Sequence, residues 1–202
     1  MTLEIRRFAY GDTTPAWQAG STNQAGDIMI AFAFRDGSTT APSLPSGWTD
    51  IRSDGANTCS ARSCWKEAVA DSDTLPAFTN ANTVYVLTIR GADRRNPIGN
   101  TSTDGSQSAT ITLPALTFNH QNGEGSAFGF VGHRSTNHNL ASSPGDLTHY
   151  GAYANATCQT GAWYEHDSNG VTGGTFAGGG TSSGQRAHVI EILMSRFKPI
   201  IY

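Results

Sequence analysis

Charge is what this sequence has least of. Lysine and arginine together number 13 among 202 residues, and charged residues make up 14%, against about 25% in an ordinary soluble domain. There is no basic stripe, and the formal net charge is -3, so nucleic-acid binding by neutralisation of a phosphate backbone is not expected. Cysteines number only three, Cys59, Cys64 and Cys158. Their spacing matches no zinc motif and contains no C-x-x-C pair. Two readings stay open for them, buried reduced thiols and a single disulfide whose pair is undetermined. No apolar run reaches the length of a membrane span. Met1 is followed by Thr-Leu-Glu-Ile-Arg-Arg rather than by an apolar stretch, so no secretory leader is expected.

Catalytic motifs are also missing. There is no G-x-S-x-G elbow, no H-E-x-x-H and no phosphate loop, since Gly178-Gly179-Gly180 lacks the following Lys-Ser/Thr. The six histidines form no closed ligand set. His133 and His138 flank a loop, and His166-Asp167, or Asp146 for calcium, have no supporting spacing. Glycoside hydrolysis needs two facing carboxylates, for which Glu67, Glu165 and Glu191 are the candidates by type. Expected, therefore, are no enzyme, no cofactor and no resident metal.

What is present is glycine, 23 residues, together with abundant Ser, Thr and Asn. Polarity carried by neutral hydrogen-bonding groups suits a surface largely covered by neighbours. Residues 28–34, IMIAFAF, follow a Gly-Asp turn and end at Arg35-Asp36-Gly37. The run is too β-branched and aromatic for a helix and reads as a strand central to a sheet. Trp48, after Pro45 and Gly47, is expected to close one edge of a core. Further strands are read at 2–10, through Cys64-Trp65-Lys66, at 83–90, within 108–118, at 126–134, 147–153 and 158–165, and at 187–194. Pro114 divides or bulges the segment that contains it. With no amphipathic helix, this pattern predicts an all-β fold, a two-sheet antiparallel β-sandwich of jelly-roll-like path.

The second half faintly repeats the first. At a spacing of 99 residues Gly26 falls on Gly125, Arg35 on Arg134, Pro45 on Pro144 and Cys59 on Cys158. One residue of slippage then places Trp65-Lys66-Glu67 on Trp163-Tyr164-Glu165. The expectation is an internal duplication with a pseudo-twofold axis, half-repeats at 1–100 and 101–194 within one domain of residues 1–194. Residues 195–202 form an apolar tail carrying Phe197, Ile200, Ile201 and Tyr202, expected to be an assembly element that docks on a neighbour.

Several of these pieces resemble a module of bacteriophage virion proteins, often tail-associated, that also occurs in bacterial surface proteins. They are Gly26-Asp27 before an apolar strand, Pro45-Ser46-Gly47-Trp48-Thr49, the Trp65-centred strand, and Val84 to Arg90 followed by Gly91-Ala92-Asp93 and Asn96-Pro97-Ile98. A late Gly/Ser/Thr-rich stretch before the last strand completes the resemblance, which spans about residues 24 to 194. It implies a sandwich on the outside of a particle; the neutral polar composition without an export signal leads to the expectation that the protein is made in the host cytoplasm and released by lysis. The resemblance implies a non-enzymatic head decoration or tail-attached protein, with other virion proteins and copies of itself as partners, in an oligomeric assembly without nucleic-acid contact or membrane insertion. The alternative is a receptor-recognition module binding host surface glycan, for which Trp65, Glu67, Trp163, Tyr164 and Glu165 are the candidate contacts.

Overall fold

The structure is a computed structural model. It describes residues 3–18, 22–71, 73–108, 110–119, 125–136, 140, 147–177 and 183–195. Two antiparallel sheets pack face to face as a β-sandwich, and no helix occurs among the described residues. The first sheet is built from β1 (Glu4–Gly11), β2 (Ala16–Trp17), β3 (Ile28–Asp36), β4 (Thr49–Ala56), β5 (Cys59–Glu67) and β6 (Thr83–Arg90), in the order β2-β1-β6-β3-β5-β4. The rest of the chain supplies β7 (Ile98–Asp104), β8 (Gln107–Ser108), β9 (Thr110–Leu113), β10 (Leu116–Thr117), β11 (Gly125–His133), β12 (Thr148–Ala154), β13 (Gln159–Ser168), β14 (Gly170–Val171), β15 (Gly174–Ala177) and β16 (Ser183–Leu193). The second sheet runs β12-β13-β11-β16-β7, with β8 paired to the start of β16. Pro114 divides 108–118 into two short strands. β9 pairs with β15 and β10 with β14, as separate ribbons.

The apolar runs do not alternate because both faces of the central strands are buried. Ile28, Ile30, Phe32 and Phe34 of β3 enter the core between the sheets, alongside Phe128 and Phe130 of β11. Met29, Ala31 and Ala33 face the other way, into an outer core with Trp48 and Phe78. Trp48 meets Phe78 edge-on at 5.7 Å. The second sheet has its own outer core, where Ile111, Leu113, Leu116 and Phe118 lie over Val131, Trp163 and Val189. Cys59 and Cys64 point to opposite faces of β5, as a continuous strand requires. All three cysteines are buried free thiols.

The chain path differs from the jelly-roll-like one expected. A jelly roll distributes successive Greek-key strands over both sheets. Here residues 4–90 complete one sheet before residues 98–193 build the other. Set side by side, β1-β6-β3-β5-β4 and β7-β16-β11-β13-β12 correspond strand for strand. Even the irregularities correspond. The ladder of β4 skips Ile51 between Asp50 and Arg52, and that of β12 skips Tyr150 between His149 and Gly151. These two bulges keep the 99-residue spacing of the sequence echo. The sheets face each other about a pseudo-twofold axis, β3 against β11 and β5 against β16. Phe32 and Phe130 stack across it at 5.7 Å with nearly parallel rings.

The register also corrects the slippage assumed for the second Trp. Trp65 pairs with Ile30, and Tyr164 pairs with Phe128. Both rings pack on the core between the sheets, whereas Trp163 lies in the outer core. Trp65 therefore corresponds to Tyr164, with no slippage, because side chains alternate faces along a strand.

Candidate functional site

The symmetry places two flanks beside the central Phe32–Phe130 pair, and their chemistry differs. On one flank β1, β6, β12 and β13 contribute tyrosines and a phenylalanine. Tyr10 stacks on Tyr153 at 5.0 Å, Phe8 meets Tyr150 edge-on at 5.5 Å, and Tyr85 lies between Phe8 and Tyr10. On the other flank the matching positions are polar. The ladders place Thr103 opposite His188 as they place Tyr10 opposite Tyr85. They place Asp54 opposite Ala61 as they place Tyr153 opposite Thr160.

The polar flank has the composition of a nucleophilic triad. Ser63 Oγ lies 2.6 Å from His188 Nδ1, and His188 Nε2 lies 3.3 Å from Asp54 Oδ1. Thr103 Oγ1 donates to Asp54 Oδ2 at 2.6 Å, and Arg186 Nε stands 3.7 Å from Asp54 Oδ1. Burial tends to raise the Asp54 carboxyl. The hydrogen bond and charge of His188, the Thr103 hydroxyl and the Arg186 charge outweigh it and hold the carboxyl below its ordinary value. Ser63 and His188 are both fully buried, and Phe32 meets the imidazole edge-on at 5.2 Å. A substrate carbonyl cannot approach Ser63 Oγ, so a nucleophile there has nothing to attack. The network does something else: it ties β4 and β5 of one sheet to β7 and β16 of the other.

The carboxylates named from sequence are not brought together. Glu67 accepts from Arg94 Nε at 2.8 Å and shares the face of Trp65. Glu165 shares the outward face of Trp163 on the other sheet. Glu191 is fully buried in β16, and its Oε2 accepts backbone N–H groups of Asn100 at 2.7 Å and Asn119 at 2.9 Å. A Cβ on Gly99 would sit 2.2 Å from that oxygen, so the carboxylate occupies the space a side chain would need. These two amides occupy acceptor capacity that would be costly to leave unpaired inside the protein. Among the proposed glycan contacts, Trp65, Tyr164 and Glu165 are half-buried and Glu67 is paired, but Trp163 is wholly buried and presents nothing to a ligand. Among the described residues no three metal-ligating side chains converge. His120, His138, Asp146 and the tail residues Phe197, Ile200, Ile201 and Tyr202 lie outside the described residues.

Among the described residues, two clefts are found on the first sheet. The smaller, about 230 Å³, lies beside the bidentate pair of Arg90 with the buried Asp27, both contacts 2.8 Å. Ser195, the last described residue, lines it. The larger, about 420 Å³, sits where β2 folds back beside β1 and the 71–75 segment crosses them. The Arg7 guanidinium lies over the Trp17 ring at 4.1 Å. Trp17 Nε1 donates to the carbonyl of Asp73 at 3.1 Å, which fixes the ring as one wall. No sequence signal joins these groups, because Arg7 and Asp71 are separated by a whole sheet's worth of chain.

Comparison with known proteins finds no matching family model, no matching curated protein and no matching solved structure.

Proposed function

We propose that this chain is a non-enzymatic structural accessory protein of a bacteriophage virion, a head decoration or a tail-attached protein, acting through protein–protein interfaces. The observation that carries the reading is where the reactive side chains are spent. Ser63, His188, Asp54 and Glu191 are consumed in joining strands and sheets. What remains for recognition is an exterior of neutral polar groups, the kind of surface that neighbours in an assembly cover. The resemblance to phage virion modules supplies the setting, and the apolar tail of residues 195–202 supplies a candidate anchor. The test is quantitative mass spectrometry of purified particles carrying either the full chain or a chain lacking residues 196–202. Expected are a fixed copy number for the full chain, and a truncated protein that folds but is absent from particles. A full chain found only in the soluble lysate would refute the reading.

A second reading, a glycan-recognition module of a phage tail, is favoured by one observation, the open cleft beside Trp17.

A further inference from the structure

We infer that the cleft between Arg7, Trp17 and Asp71 is a binding site for a neutral saccharide. The inference rests on the glycan-recognition reading and moves it from the Trp65 and Trp163 strands to the β1–β2 corner. Three properties of the cleft carry it.

First, the walls hold polar groups with unused capacity. The hydroxyls of Thr22 and Thr74 are exposed and make no hydrogen bond among the described residues. Asp71 Oδ1 accepts from Arg7 Nη1 at 3.3 Å and from the backbone N–H of Asn23 at 3.2 Å, which leaves Oδ2 facing solvent on an exposed side chain. Two hydroxyls, each able to donate and accept, and a carboxylate thus share one opening, as the hydroxyls of a sugar require.

Second, the floor is apolar and fixed. Trp17 and Leu75 are half-buried against the outer core of the first sheet. The Trp17 ring is held from both ends, by its N–H on the Asp73 carbonyl and by the Arg7 guanidinium above it. Leu75 and the part of Trp17 that Arg7 leaves uncovered offer fixed apolar area to the C–H groups of a pyranose, and holding them in place beforehand lowers the ordering cost of binding.

Third, the charges select against ions. Arg7 and Asp71 meet inside the cleft, and the Asp73 carboxylate is nearly buried, its Oδ2 accepting from the backbone N–H groups of Val69 at 2.7 Å and Ala70 at 3.1 Å and its Oδ1 lying 3.8 Å from Lys66 Nζ. An anion gaining Arg7 would face Asp71, and a cation gaining Asp71 would face Arg7. A neutral polyhydroxyl ligand is the class that satisfies both. The volume, about 420 Å³, falls in the range of small-molecule sites.

The test uses the full chain on an array of immobilised neutral, anionic and amino-bearing oligosaccharides, followed by isothermal titration with maltotriose and with triacetylchitotriose. Expected is retention of neutral oligosaccharides in preference to both charged classes. Asp71→Asn and Thr74→Val should each weaken that binding by about fivefold or more, the effect of one lost hydrogen bond, with an unchanged unfolding midpoint. Glu67→Gln should leave binding unchanged. Binding of neutral oligosaccharides that survives both cleft variants overturns this site while leaving glycan recognition standing. Binding confined to charged glycans overturns the ligand class. Absence of binding to every class overturns the site and the glycan-recognition reading together.

Discussion

Replacing Asp54 with alanine would remove the acceptor on which three side chains of the opposite sheet converge. Thr103 reaches it at 2.6 Å, His188 at 3.3 Å and Arg186 at 3.7 Å. The first two are hydrogen bonds to a charged acceptor, worth about 1.5–3 kcal/mol each. Their partners would stay behind in the interior: His188 is fully buried and the Arg186 side chain is 3% exposed. A buried charge such as that of Arg186, left without its partner, makes the loss cost about 3–5 kcal/mol in a fully buried pair. Asp54 itself is 26% exposed, so water can enter the gap and soften the penalty. We expect Asp54→Ala to destabilise the fold by about 2–4 kcal/mol and lower the thermal midpoint by roughly 5–15 °C for a chain of this size. The acid limb gives an independent reading. The folded-state carboxyl lies below its ordinary value of 3.8. Its contribution is therefore complete above that value and lost as pH falls through the lower, folded-state value. Denaturant titrations from pH 7 to pH 2 should show a decline below about pH 4 that is shallower in Asp54→Asn. An alanine variant within about 0.5 kcal/mol of wild type, the range of ordinary surface substitutions, would show that the network does not hold the sheets together. So would an acid limb identical in Asp54→Asn.

Two further outcomes follow from local geometry. The β4–β5 hairpin turns through Asn57 and Thr58, both with left-handed backbone, at φ 51° and 60°. A β-branched residue is disfavoured there, so Thr58→Gly should stabilise the protein by about 0.5–1 kcal/mol in denaturant unfolding; a loss of stability would mean that the Thr58 contact with Arg134 outweighs the strain. The three cysteines are fully buried, and burial pushes the thiols of Cys59, Cys64 and Cys158 up. A maleimide should label none of them in the folded protein and all of them in denaturant, and rapid native labelling of any one would contradict the packing.

The pseudo-twofold relation gives the two flanks a common origin in geometry and opposite solutions in chemistry. The same inter-sheet positions are filled by Tyr10, Tyr85 and Tyr153 on one side and by Thr103, His188 and Asp54 on the other. Tyrosines fill the gap by area. The polar set fills it by pairing, which stabilises only while every member has a partner.

Local sequence determined which segments are strands. Residues 28–34 are apolar at every position and residues 84–87 form a second apolar run, so strands buried on both faces satisfy them, and each lies in a long strand within its sheet. The 99-residue echo holds for β4 and β5 against β12 and β13, whereas β3 matches β11 one residue out of that spacing, as Phe32 facing Phe130 shows. The sequence did not determine which sheet each strand joins, because a jelly roll and two successive sheets use the same strands and differ only in long-range pairing. Nor did it determine the face of Trp163, where a slip of one residue exchanges the core between the sheets for the outer core. The polar flank and the cleft were decided by tertiary structure alone. Ser63, Asp54 and His188 come from three strands in two sheets, and Trp17 meets Asp73 across more than fifty residues of chain. Hydrogen bonds between such residues follow from sheet stacking and leave no periodicity or motif to read.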